Sequence, residues 1–229
     1  MSNYINTNFP FFSSLVEAGK EYPNADIRSI LLHKIPFHQE IYLRYEHIFA
    51  SMPPEQLEIA RKKILNSVIK HPIMGWSQFS DVLNEVEGFE FLIKQGCSDV
   101  MFITEDGSPD CHGQKNGKRT LLEAKQIHNS LDESEYLLRS AEQPKARWVS
   151  TVIPEPLIRK IDTHIEKAMG QLRNYGKIGD ELFIYLVIHL DVGVKLNNDL
   201  WDELDALLEE KAQELKLESG ITLVWESRW

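Results

Sequence analysis

Residues 109 to 125 read PDCHGQKNGKRTLLEAK, two short extended runs on either side of Asn116-Gly117. A two-residue hairpin turn of the favoured kind needs positive φ at both central positions, and Asn-Gly supplies this at little steric cost. Pro109 to Gly113 and Arg119 to Ile127 are therefore expected to lie side by side as antiparallel strands. Upstream, Asp99 to Glu105 is a β-rich run ending at the turn signal Asp106-Gly107, so three consecutive antiparallel strands are predicted. Asp110 opens the second strand. Glu123 and Lys125 lie two apart on the third, and side chains alternate along a strand, so these two share a face. Two carboxylates and an ammonium converge.

Outward from this meander the hydrophobic period changes. Phe79 to Gln95 reads as a helix with the apolar stripe Val82, Val86, Phe89 and Ile93, closed by Gly96. Downstream, Leu131 to Gln143 is a candidate helix over the sheet. Pro154-Glu155-Pro156 precedes a long helix through Tyr175, with Ile158, Ile161, Ile165, Ala168 and Leu172 in register, and Gly176 and Gly179 close it. Glu181 to Leu190, apolar without a break from Leu182 to Ile188, is expected to be a strand buried on both faces. Asp199 to Leu217 reads as an acidic helix and Ile221 to Trp225 as a last strand. This order of elements predicts a mixed α/β sandwich. In the first third, Asp26 to Leu32 and His38 to Ala50 read as short helices, with Phe37, Tyr42, Tyr45 and Phe49 expected in a core. Ser51, Pro53, Pro54 and Glu55 start a helix that runs through Lys70 on Leu57, Ala60, Ile64 and Val68. A seam at His71 to Gly75 divides the chain into a helical N-terminal module, 1 to 75, and an α/β domain, 76 to 229.

With 229 residues, 42% of them hydrophobic and 26% charged, the chain can bury a full core and is not of disordered composition. Two cysteines, Cys97 and Cys111, are too few for a disulfide framework or a four-cysteine metal site. A cytoplasmic protein is expected. The apolar stretch Phe9 to Val16 follows no Lys or Arg, and no run approaches the ~18 apolar residues of a membrane span, so no membrane association is expected. The net charge of -10 argues against nucleic acid only if it is evenly spread. It is not: residues 197 to 229 hold 3 basic and 9 acidic groups, which supplies six of the excess negatives, while residues 1 to 75 hold 8 and 7. Arg61-Lys62-Lys63 with Lys70 reads either as a phosphate-contacting face or as a solvated helix face.

Asp110, Glu123 and Lys125 suit phosphodiester cleavage. Carboxylate oxygens hold Mg²⁺ with waters retained, the metal polarises the phosphate, and an ammonium orients water or stabilises developing charge. The plainer alternative is a turn Pro-Asp and a surface Glu-Lys pair. Leu121 and Leu122 argue against it, because they make the Glu-Ala-Lys run part of a partly buried strand, where charge is costly without a reason. Cys111-His112 lacks a second pair at zinc spacing and reads as a local accident. His128 follows the same strand and could approach phosphate.

In the order Pro109-Asp110 then Glu123-Ala124-Lys125, residues 78 to 190 resemble the PD-(D/E)xK nuclease superfamily, with its restriction-endonuclease-like fold. The resemblance implies a metal-dependent nuclease acting on DNA, using Mg²⁺ with Mn²⁺ expected to substitute. It implies Asp110 and Glu123 as metal ligands, the carbonyl of Ala124 as a further one, and Lys125 as catalytic. It also implies a Glu on the preceding helix, here Glu85. Gln171 and Tyr175 look like the Gln-x-x-x-Tyr motif of RecB-type nucleases and would share a helix face to hold substrate or the lysine. On periodicity Glu85 and Glu90 flank the apolar stripe alike, and Glu87 is expected to be solvated; the resemblance favours Glu85. The rival function is a catalytically silent nuclease-fold module that binds nucleic acid or a protein partner. A homodimer is left open, as is an interaction role for the acidic C-terminal helix.

Overall fold

The computed structural model describes residues 8–20, 39–70, 75–127, 153, 155–189 and 198–228. The expected helices at 26–32 and 131–143, together with Phe37 and His128, lie outside them. The described residues fall into two compact units, Met1–Gln95 and Gly96–Trp229. The compact boundary thus comes after the helix that the Pro/Gly seam at residue 75 assigned to the second domain. Among the described residues, no helix is long and apolar enough to cross a membrane.

The first unit is helical: α1 (Pro10–Gly19), α2 (Gln39–Ser51), α3 (Pro54–Lys70) and α4 (Gly75–Lys94). Pro10 begins α1, where its missing N–H would have no partner in any case. The next two N–H groups, of Phe11 and Phe12, donate to the two carboxylate oxygens of Glu46 on α2, at 3.0 and 2.9 Å. Phe11 stacks on Phe49 at 3.7 Å between centroids, and Phe12 meets Tyr42 and Phe49 edge-on, so the aromatic residues of α2 are core. Helix α4 packs against both α2 and α3 and is buried on more than one side. This corrects two expectations. Ile93, placed in the buried stripe, is exposed, and Glu87, expected to be solvated, is 1% exposed with Arg44 at 3.9 Å. A helix wedged between two neighbours buries more than the single stripe that periodicity describes.

The second unit is built on a mixed five-stranded sheet in the order β1-β2-β3-β4-β5: β1 (Ser98–Phe102), β2 (Cys111–Lys115), β3 (Lys118–Ile127), β4 (Glu181–His189) and β5 (Thr222–Arg228). The first three strands are the expected antiparallel meander. Asn116 and Gly117 have φ of 51° and 74°, the two positive values that a hairpin turn of this kind requires. β4 then pairs parallel to β3, and β5 parallel to β4, each after a helical crossover, α5 (Glu155–Tyr175) and α6 (Asn198–Ser219). Two crossovers of the same hand stepping in the same direction bring both helices to one face. Ile161, Ile165, Ala168 and Leu172 of α5 and Leu204 and Leu208 of α6 accordingly share a core with Leu121, Ile184, Leu186, Ile188 and Leu223. From Ile184 to Ile188 β4 is buried on both faces, as its unbroken apolar run predicts.

Candidate active site

The site residues of β3 sit on the helix-covered face. In register, Leu121 lies beside Leu182, Glu123 beside Ile184, Lys125 beside Leu186 and Ile127 beside Ile188. Two charged side chains therefore interrupt a row of leucines and isoleucines that packs against α5 and α6. Glu123 is 1% exposed and Lys125 21%, and the Lys125 ammonium donates to Glu123 Oε1. A second hydrogen bond runs from Lys125 Nζ to Gln171 Oε1 of α5, at 3.0 Å. Gln171 Nε2 in turn donates to the carbonyl of Ser108, in the loop before β2, at 3.2 Å. One glutamine thus ties the ammonium to the segment that carries the other carboxylate.

Asp110 lies one step beyond the Cys111–Leu122 pair, which brings it opposite Glu123 across the antiparallel ladder. Its Oδ2 accepts the N–H of Ala124 at 2.8 Å, and its carbonyl accepts the N–H of Ile103 at 2.9 Å. In an extended strand the N–H and C=O of one residue point to the same side, so the Ala124 carbonyl also faces the Asp110 strand. Asp110, Glu123, Ala124, Lys125 and Gln171 are thereby brought together. Two hard carboxylates and a carbonyl are the donor types that Mg²⁺ takes, with waters completing its shell. Among the described residues, no three His, Cys, Asp or Glu side chains gather into a metal-binding group. Cys111 is buried and in no disulfide, and on the next residue burial, then the Arg119 charge, hold the His112 imidazole below its ordinary pKa.

Tyr175 serves a different neighbourhood. The Arg119 guanidinium lies 5.5 Å from its ring centroid and donates to its carbonyl. Arg119 also pairs with Asp180. Burial pushes the Asp180 carboxyl up, but the Arg119 hydrogen bond, the Lys177 N–H and both nearby positive charges outweigh this and hold it below the ordinary range. Sequence reasoning missed this Arg119–Tyr175–Asp180 group and the Ser108 carbonyl. Asp180 directly after Gly179 was the available signal for the first, and a carbonyl carries none.

The helix acids belong to the first unit. Glu85 pairs with Lys63 of α3, and Glu90 with Arg44 at 3.1 Å and Lys94 at 2.8 Å. Of the basic run before them, Arg61 and Lys62 lie 3.8 and 3.7 Å from Glu58. Comparison with protein-family models, with curated proteins and with solved structures gave no match.

Proposed function

We propose that the protein is a Mg²⁺-dependent nuclease of the PD-(D/E)xK kind, with a restriction-endonuclease-like core, that hydrolyses phosphodiester bonds in DNA. The observation that carries this reading is the charged pair Glu123–Lys125 on an otherwise apolar, helix-covered face, next to Asp110. A buried ion pair adds little net stability compared with apolar side chains of the same size, so a fold has small reason to keep one there for its own sake. Asp110, Glu123 and the Ala124 carbonyl, all of the second unit, would hold the metal. When bound, the cation polarises the phosphate and lowers the pKa of a water.

Lys125 supplies a positive charge that is already oriented, since Gln171 and Glu123 fix its ammonium from two sides. Such a group stabilises the charge that develops on the phosphate oxygens and aligns the attacking water without reorganising at the moment of reaction. Water adds across the P–O bond, its oxygen going to phosphorus and a proton to the leaving oxygen. Gln171 acts here as a positioning residue for Lys125, and Tyr175 supports the same helix end through Arg119. Buried Cys97 and Cys111, neither in a disulfide, suit a reducing, cytoplasmic setting.

The test is a panel of linear, circular and single-stranded DNA and RNA with Mg²⁺ or Mn²⁺, run with Asp110→Asn and Glu123→Gln, which remove charge while keeping shape. Each variant is expected to lose at least about a hundredfold in rate, the scale of losing one preorganised charge-stabilising group. Asp110→Asn should keep its thermal midpoint, while Glu123→Gln, which takes the counter-charge from Lys125, should lower it and is assayed at a temperature where circular dichroism shows it folded. Unaltered protein that cuts nothing on the panel, or variants that cut at full rate, would overturn the reading.

A further inference from the structure

We propose that the β2–β3 hairpin tip and the α5–β4 turn together form a docking surface for the phosphate backbone of duplex DNA, with Ile178 as its apolar contact. The inference rests on the nucleic-acid reading above and adds a surface outside the candidate active site. Lys115 and Lys118 are directly opposite each other across the hairpin. Like charges in that arrangement destabilise a β pair, so the fold does not ask for them.

Lys118 is followed by Arg119, whose grip on Asp180 and the Tyr175 carbonyl fastens the hairpin to the turn after α5. That turn is held from within. The Lys177 N–H donates to Asp180 Oδ2 at 2.7 Å, the Asp180 N–H donates to the Lys177 carbonyl at 3.1 Å, and Gly179 takes a φ of 95° that other residues rarely adopt. The clamped turn holds out Ile178, whose side chain is fully exposed, between Lys177 and Gly179. Arg173 is exposed on the last turn of α5.

Among the described residues, none of Lys115, Lys118, Arg173 and Lys177 has an ion-pair partner, whereas Lys125, Arg159 and Lys211 of the same unit each do. Asp180, in the same turn as Lys177, is ion-paired with Arg119. Four unpaired cations spread over two elements of a chain with net charge -10 match a polyanion of regularly spaced charge better than a single small anion. An aliphatic side chain among such cations is the device by which many proteins touch sugar edges or base steps in duplex DNA. Lys118 precedes Glu123 by five residues, about 17 Å at ~3.3 Å per residue, or about five phosphates along one strand. Strand alternation directs Lys115 and Lys118 to the face opposite Glu123, while Arg173 and Lys177 come from the end of α5 on the Glu123 face. The cations thus flank the hairpin end of the sheet from both sides and meet flanking phosphates, not the scissile one.

The experiment uses the full chain, a short fluorescent duplex, and EDTA so that binding is read without cleavage. Affinity is measured across a salt series for the unaltered protein, the triple variant Lys115→Gln, Lys118→Gln, Lys177→Gln, and Ile178→Ser. The triple variant is expected to lower the slope of log affinity against log salt by about three and to weaken binding at low salt by at least about tenfold. Ile178→Ser is expected to weaken binding several-fold with the slope unchanged, because its contact is not ionic. Thermal midpoints should hold in both, and removing the opposed lysines should not lower stability. An unchanged slope in the triple variant, or unaltered protein that fails to bind the duplex, overturns the inference. Cleavage of the same duplex in Mg²⁺ is scored separately. Cutting with an unchanged slope removes the docking surface and leaves the nuclease reading, while lysine-dependent binding without cutting does the reverse.

Discussion

Glu123 is a carboxylate almost wholly removed from water, and its counter-charge, Lys125, follows two residues later on the same face of the same strand. Removing one member of such a pair leaves the other buried and alone. Lys125→Ala is therefore expected to cost about 3–5 kcal/mol of stability, which would confuse loss of folding with loss of chemistry. The double change Glu123→Leu with Lys125→Met separates them. It extends the apolar row of Leu121, Ile127, Ile184 and Leu186 and is expected to keep or raise the urea midpoint while abolishing cleavage. A double variant that loses several kcal/mol would mean that the pair is a structural element of the sheet. The residue types and their order were legible in the sequence. Their burial depended on α5 and α6, which approach from far along the chain.

At the scale of elements, α1 is capped from another helix. Its first free N–H groups are met by Glu46 of α2, and nothing within residues 9 to 19 signals this partner. Burial pushes the Glu46 carboxyl above its ordinary pKa, and the two backbone hydrogen bonds, with the His47 charge, only partly offset it. With the folded pKa above the unfolded one, the native state binds more protons between those values. Stability is thus full below the ordinary glutamate range and declines as pH rises through the folded value. Glu46→Gln cannot ionise, so denaturation midpoints across that window should shift in favour of the variant as pH rises. A difference that stays flat with pH would count against the assignment. The hairpin gives the opposite case, an element decided locally. Gly117 holds a φ of 74°, and Gly117→Ala is expected to cost about 1–2 kcal/mol in urea denaturation.

For the molecule as a whole, the second unit has one shared core on the helix-covered face of its sheet. Leu208 of α6 is fully buried there together with Leu172 of α5 and Leu186 of β4, so Leu208→Ala is expected to destabilise the unit by about 2–5 kcal/mol, read by chemical denaturation. A much smaller loss would mean that α6 is not part of that core. By itself the sequence determined the meander, the Asn116-Gly117 turn, the long helix before β4, and the pairing of Glu123 with Lys125 on one strand face. Each of these depends on a period of two or 3.6 residues or on the φ preference of a turn, and such properties act within a few residues. Tertiary structure alone decided that Glu87 is buried, that Ile93 is exposed, that Gln171 reaches Lys125 and Ser108, and that Tyr175 meets Arg119 instead. These outcomes depend on which element packs against which. A helix touching two neighbours has no single apolar stripe to read, and a hydrogen bond between residues 125 and 171 leaves no periodic trace in either segment.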